Sequence, residues 1–150
     1  MSFRYSSHQI LEIAKTHKVV RENQPLDFKS YGERGKKLDV NLDFMDGPLV
    51  NLRLSITAGQ FDDPATYRAA LILEDQRIRG VDHSYIEHRR FYKTVIPKGW
   101  HQNIIDPNRP TRDSNQHLPL RHFVPTDLKD FLKRVGTLWH IELNLDEVLL

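Results

Sequence analysis

Between Leu38 and Thr57 apolar and polar positions alternate with a period of two. Leu38, Val40, Leu42 and Phe44 interleave with Asp39, Asn41 and Asp43, the pattern of a strand with one apolar face and one polar, acidic face. Met45-Asp46-Gly47-Pro48 then turns the chain. Val50, Leu52, Leu54 and Ile56 alternate in the same way with Asn51, Arg53, Ser55 and Thr57, so the two segments predict a β-hairpin. Tyr67 to Leu73 predicts a third strand, and the apolar run Ala69 to Leu73 points to burial on both of its faces. Glu74-Asp75-Gln76 leads into a fourth strand, Arg77 to Val81, and the four read as an antiparallel meander. A further strand is expected from Phe91 to Ile96, ahead of Pro97-Lys98-Gly99.

The period lengthens to that of a helix at both ends. Residues 7–20 read as an amphipathic helix, with Ile10, Leu11, Ile13 and Ala14 on one stripe and a capping box from Ser6 and Gln9. Asn23 to Lys37 contains Pro25, Gly32 and Gly35 and reads as a loop. A second helix is expected after Thr126, carrying Leu128, Phe131, Leu132 and Val135 at i, i+3, i+4 and i+7, with Gly136 placed to end it. Leu138 to Leu143 returns to alternation as a final strand, whereas the proline-rich stretch at about 106–119 reads as a mobile loop. The expected fold is therefore α+β: a mostly antiparallel sheet of four to six strands with an N-terminal and a C-terminal helix packed on it, in a single domain over 1–150.

The chain has 150 residues and no cysteine, so disulfide frameworks, thiolate zinc sites and a cysteine nucleophile are excluded. No apolar run is long enough to span a membrane. Met1 to Lys18 is broken by Arg4, His8, Glu12 and Lys15 and lacks the core of a secretory signal, so a cytoplasmic protein without membrane contact is expected.

A net charge of +2 is uninformative, but its distribution is not. From Arg77 to His122 nine basic residues face four acids, a balance of +5 against −3 for the remainder, and five of the eight histidines lie there. Seven of those nine are arginines, whose planar fork matches phosphate or carboxylate oxygens. RNA or another phosphate-bearing ligand is the expected partner.

Within this segment, metal-independent phosphodiester chemistry needs a histidine to move a proton and cations to stabilise phosphoryl charge. His83, His88, Asp82 and Tyr92 are the candidate catalytic residues, with Asp82 orienting an imidazole. Arg79, Arg89, Arg90, Lys93, Lys98, Trp100 and His101 are the candidate binding residues, Tyr92 or Trp100 stacking a base. Asp82, His83, His88 and His101 match no metal-ligand spacing, so neither a metal nor a cofactor is expected. Glycine-rich phosphate loops and a Gly-x-Ser-x-Gly elbow are missing from the sequence.

The segment Tyr67 to His83, with His88 after it, resembles the core of the TumE-type toxins of bacterial toxin-antitoxin modules. The shared features are a strand, a short acidic turn, a second strand with arginine, an aspartate and a downstream histidine. That resemblance implies a small growth-inhibiting protein acting on RNA or another nucleotide-containing target and neutralised by a protein partner; the enzyme expectation is a small, metal-independent ribonuclease or related toxin-like protein working through His83, His88 and the arginines beside them. The competing expectation is a non-catalytic module that grips nucleic acid or an acidic protein through a broad basic face.

Overall fold

The computed structural model describes residues 5–21, 24–33, 35–46, 50–59, 63–89, 95–107 and 116–148. Helix α1 (Ser7–Lys15) is followed by strands β1 (Lys18–Val20), β2 (Lys29–Tyr31), β3 (Gly35–Phe44), β4 (Leu52–Ala58), β5 (Arg68–Leu73) and β6 (Gln76–Ser84). After these come β7 (His88–Arg89), β8 (Val95–Ile96), β9 (Gly99–Ile104), β10 (Gln116–Pro119), helix α2 (Leu128–Trp139) and β11 (Ile141–Glu142). Nine strands form one sheet in the order β10-β9-β6-β5-β4-β3-β1-β11, with β2 beside β3, while β7 and β8 pair separately.

This corrects the α+β expectation. The antiparallel meander β3-β4-β5-β6 is present, but as the centre of a larger mixed sheet in which two short helices are a minor part. The additional strands are two to six residues long; β8 and β11 are short remnants of the strands expected at Phe91 to Ile96 and Leu138 to Leu143, residues 91–94 lying outside the described residues, and the others are too short or too polar for periodicity to reveal. They pair because a neighbouring backbone is available: Lys18 and Val19 lie parallel to Ile141 and Glu142, in the sheet's one parallel pairing among the described residues. That pairing also ends α1 at Lys15, five residues before the expected boundary, because Lys18 N–H donates to the His140 carbonyl at 2.8 Å.

Both faces of the sheet follow from the alternation. Leu38, Val40, Leu42, Leu52, Leu54, Ile56, Leu71, Leu73 and Val81 all point inward and are at most 2% exposed. They form one core with Ile10 of α1 and with Leu128, Phe131, Leu132, Val135 and Trp139 of α2. Burial of such side chains is worth roughly 1.5–3 kcal/mol each. Gly136 does not end α2; a Cβ there would stand 2.9 Å from the Ile141 carbonyl, so glycine admits the close approach of β11. The helix runs to Trp139, and His140 caps it in the left-handed region at φ 56°.

Lys18 joins the two helices. It is fully buried, and its ammonium donates to the carbonyls of Ala14 (3.1 Å), Thr16 (2.7 Å) and Trp139 (2.7 Å), groups left open at the C-terminal ends of α1 and α2. Burial, and secondarily the charge of Arg79, lowers its pKa from 10.5 to about 8.

Of the expected mobile loop, residues 116–119 are the edge strand β10, and 108–115 lie outside the described residues. No described helix is long and apolar enough to cross a membrane.

Candidate nucleic-acid interface

The outer face of the sheet carries the polar half of each alternation. Register aligns Asp39, Ser55, Ala70, Gly80, Asn103 and His117 in one row across β3, β4, β5, β6, β9 and β10. Ser55, Ala70 and Gly80 are all small, and Ser55 and Gly80 are buried beneath the longer side chains beside them, so the middle of the row is a recessed floor. At about 4.8 Å per strand, the row from Ser55 to His117 spans roughly 19 Å.

Longer side chains stand on both sides of this floor. On one side Lys29 pairs with Lys37, Lys37 with Thr57, and Thr57 with Arg68. On the other side Arg53 pairs with Ile72 and Ile72 with Arg77. Arg53 and Thr57 are four residues apart on β4, which sets the two walls about 14 Å apart at about 3.4 Å per residue. Arg68 and Arg77 are exposed, while Asp39 closes the β3 end of the trench by pairing with both Lys37 (3.5 Å) and Arg53 (3.3 Å). Tyr31, 55% exposed, stands at the same end with the Lys37 ammonium 5.1 Å from its ring centroid.

At the other end lies a polar network. His101, only 2% exposed, sets Nε2 2.5 Å from Asp82 Oδ1 and Nδ1 3.1 Å from the Gly99 carbonyl. Both ring nitrogens face acceptors, which defines an imidazolium paired with a carboxylate. Burial alone would lower the pKa of His101, but the hydrogen bond and charge of Asp82 outweigh it and the value is raised. Burial would likewise raise Asp82, but His101, the Asn103 amide and the Arg68 charge outweigh it and hold the carboxyl below its usual 3.8. Asn103 Nδ2 donates to Asp82 Oδ1 at 3.4 Å, so its Oδ1 is left to accept from His117 Nδ1 at 2.5 Å. The chain Asp82-Asn103-His117 thus fixes the tautomer and orientation of a half-buried imidazole at the trench end.

The residues expected to form the site are dispersed. Asp82 does orient an imidazole, but it is that of His101 rather than His83. His83 pairs with Trp100 across β6 and β9 on the opposite face, with their rings 5.3 Å apart edge to face. Trp100 belongs to a ring cluster with Phe123 and Phe131. Arg79 also points inward and is 5% exposed, donating to the Ile78 carbonyl. His88 and Arg89 are exposed on β7, in the small separate sheet, and Lys98 is exposed between β8 and β9. Arg90, Tyr92 and Lys93 lie outside the described residues. Among the described residues no three histidine or acidic side chains are placed to hold a metal ion.

Sequence reasoning missed Arg53, Arg68, Arg77, Asn103 and His117 as a group. The signal was present in part: Arg53 sits on the polar side of the clearest alternation, opposite Leu52 and Leu54. Comparison with protein families, with curated proteins and with solved structures finds no match to this chain.

Proposed function

We propose that this protein binds single-stranded RNA across the outer face of its sheet, where Arg53, Arg68 and Arg77 stand around the recessed row of Ser55, Ala70 and Gly80. The observation that carries this reading is the register itself, which sets a row of small residues between two rows that carry Arg68 and Lys37 on one side and Arg53 and Arg77 on the other. Guanidinium groups hold phosphates, the exposed Tyr31 ring offers a stacking surface for a base, and the small residues between the two walls leave the guanidiniums standing above the sheet. Cleavage through two histidines is less well supported, because it requires a second proton-transfer group. His101 is committed as the buried partner of Asp82, which leaves His117 as the single imidazole for that task at the trench among the described residues.

The test is a salt titration of oligonucleotide binding. Arg68→Ala with Arg77→Ala is expected to weaken RNA binding at least about 10-fold. It should also flatten the log K against log salt slope by about 1.4, at about 0.7 per lost single-strand phosphate contact. An unchanged affinity and slope would remove the reading. RNA recovered intact from the wild-type complex separates binding from cleavage, and a matched DNA strand shows whether the 2′-hydroxyl is sensed.

A further inference from the structure

We infer that a cavity at the strand ends, beyond the Arg68 wall of the trench and reaching round to the side of the sheet that carries His83, is a nucleobase pocket that selects guanine, an inference that rests on the RNA-binding reading and extends it. The cavity has a volume of about 560 Å³ and opens where β3 begins and β4 and β6 end. That volume lies within the range of small-molecule sites. Arg68 belongs both to the trench wall and to the cavity lining, so a phosphate held by Arg68 leaves its nucleoside at the cavity mouth.

The lining offers each group a nucleotide needs. Tyr31 and Tyr85 are 55% and 67% exposed, an unusual degree for large rings, and both line the cavity. Exposed aromatic rings at the edge of a basic surface are the usual platforms for unstacked bases. Tyr31 is fixed by the tight turn to Gly35, where a Cβ would stand 2.5 Å from the Tyr31 carbonyl. A second observation comes from His83, whose ring also lines the cavity, 5.1 Å from that of Tyr85. Among the described residues its Nδ1 is the one buried side-chain polar atom without a hydrogen-bond partner. Such an atom in a native fold calls for a missing partner, and its residue lines the cavity a ligand would fill.

Glu33 decides which base. It stands on the same lining, in the turn between β2 and β3, and an ionised carboxylate only accepts hydrogen bonds. Guanine presents two adjacent donors, N1–H and the N2 amino group, which one carboxylate can accept together. Adenine and cytosine each place a ring-nitrogen acceptor beside their amino group, and uracil flanks its single N–H with two carbonyls, so each of these opposes the carboxylate with a lone pair.

Titration of the full chain with GMP, AMP, CMP and UMP by calorimetry tests the assignment. GMP is expected to bind at least about 10-fold more tightly than the others, as a bidentate base contact allows. Glu33→Gln should erase that preference, whereas Arg68→Ala should weaken all four alike and Tyr85→Ala should weaken all four without changing their order. Equal affinities, no binding of any mononucleotide, or a guanine preference that survives Glu33→Gln would overturn the inference. RNA oligonucleotides that bind irrespective of guanine content would sink the pocket and leave the trench standing. GMP binding without oligonucleotide binding would do the reverse.

Discussion

A Cβ built on Gly80 would stand 3.3 Å from Asn103 Nδ2, on the outer face of the sheet and next to the Arg77 side chain. Gly80 is therefore the position that leaves Asn103 room to bridge Asp82 and His117. Gly80→Ala is expected to leave stability within about 1 kcal/mol of wild type, since the gain from removing a strand glycine offsets the push on Asn103. It should nevertheless weaken RNA binding several-fold, because the methyl raises the trench floor. Binding and thermal melting measured on the same variant check this, and unaltered affinity would show that RNA does not run over Gly80.

The Asp82–His101 pair makes stability depend on pH in a definite window. Asp82 has a lowered pKa, so its contribution is complete above 3.8 and is lost as pH falls through the lowered value. His101 has a raised pKa, so its contribution is complete below 6.5 and is lost as pH rises through the raised value. Urea unfolding of wild type and His101→Gln should therefore differ most near pH 5, with the difference shrinking as pH rises beyond 6.5 through the raised value. A difference that stays constant with pH would show that the imidazolium assignment is wrong.

Lys18 predicts a slope at higher pH. Its ammonium is lowered from 10.5 to about 8, so between those values the unfolded chain binds the additional proton and stability rises with pH. Relative to Lys18→Met, which lacks the titrating group, the wild type should gain on the order of 3 kcal/mol across this range, because each tenfold difference in proton affinity between the folded and unfolded chains corresponds to about 1.4 kcal/mol. Parallel stability curves for the two proteins between pH 8 and 10.5 would contradict this.

The β5–β6 hairpin turns through Glu74 and Asp75, both at positive φ (47° and 66°). A two-residue loop with positive φ at both positions is a type I′ turn, which favours Asn-Gly. Glu74→Asn with Asp75→Gly is expected to stabilise the fold by about 1 kcal/mol, less whatever the Tyr5 hydroxyl loses in its 3.1 Å bond to Glu74 Oε1. Chemical denaturation reads the balance, and a destabilised double variant would show that the Tyr5 contact outweighs turn strain.

The hairpin from Leu38 to Thr57, the strands either side of Glu74-Asp75, and the caps at Ser6 and after Thr126 were legible because each is decided by neighbours in sequence. The small strands were not. Lys18–Val20 falls inside the expected first helix, and of the strand expected over Leu138 to Leu143 only Ile141–Glu142 forms because α2 runs on to Trp139; the two pair when α2 carries residue 141 back beside residue 18. Where the histidines point was not legible for a related reason. His83 and His101 both follow a strand-like segment, but a single step of register sends His83 to the core side with Trp100 and leaves Asp82 facing His101.

By itself the sequence determined which positions could be buried and where the chain must turn, because apolar periodicity, capping residues and turn residues act over a few bonds. Only the tertiary structure decided that Arg53, Arg68 and Arg77, from three different strands, stand around one floor of small residues, and that Asp82 meets His101. Hydrogen-bond register between distant segments sets those neighbours, and register is a property of the assembled sheet rather than of any one strand.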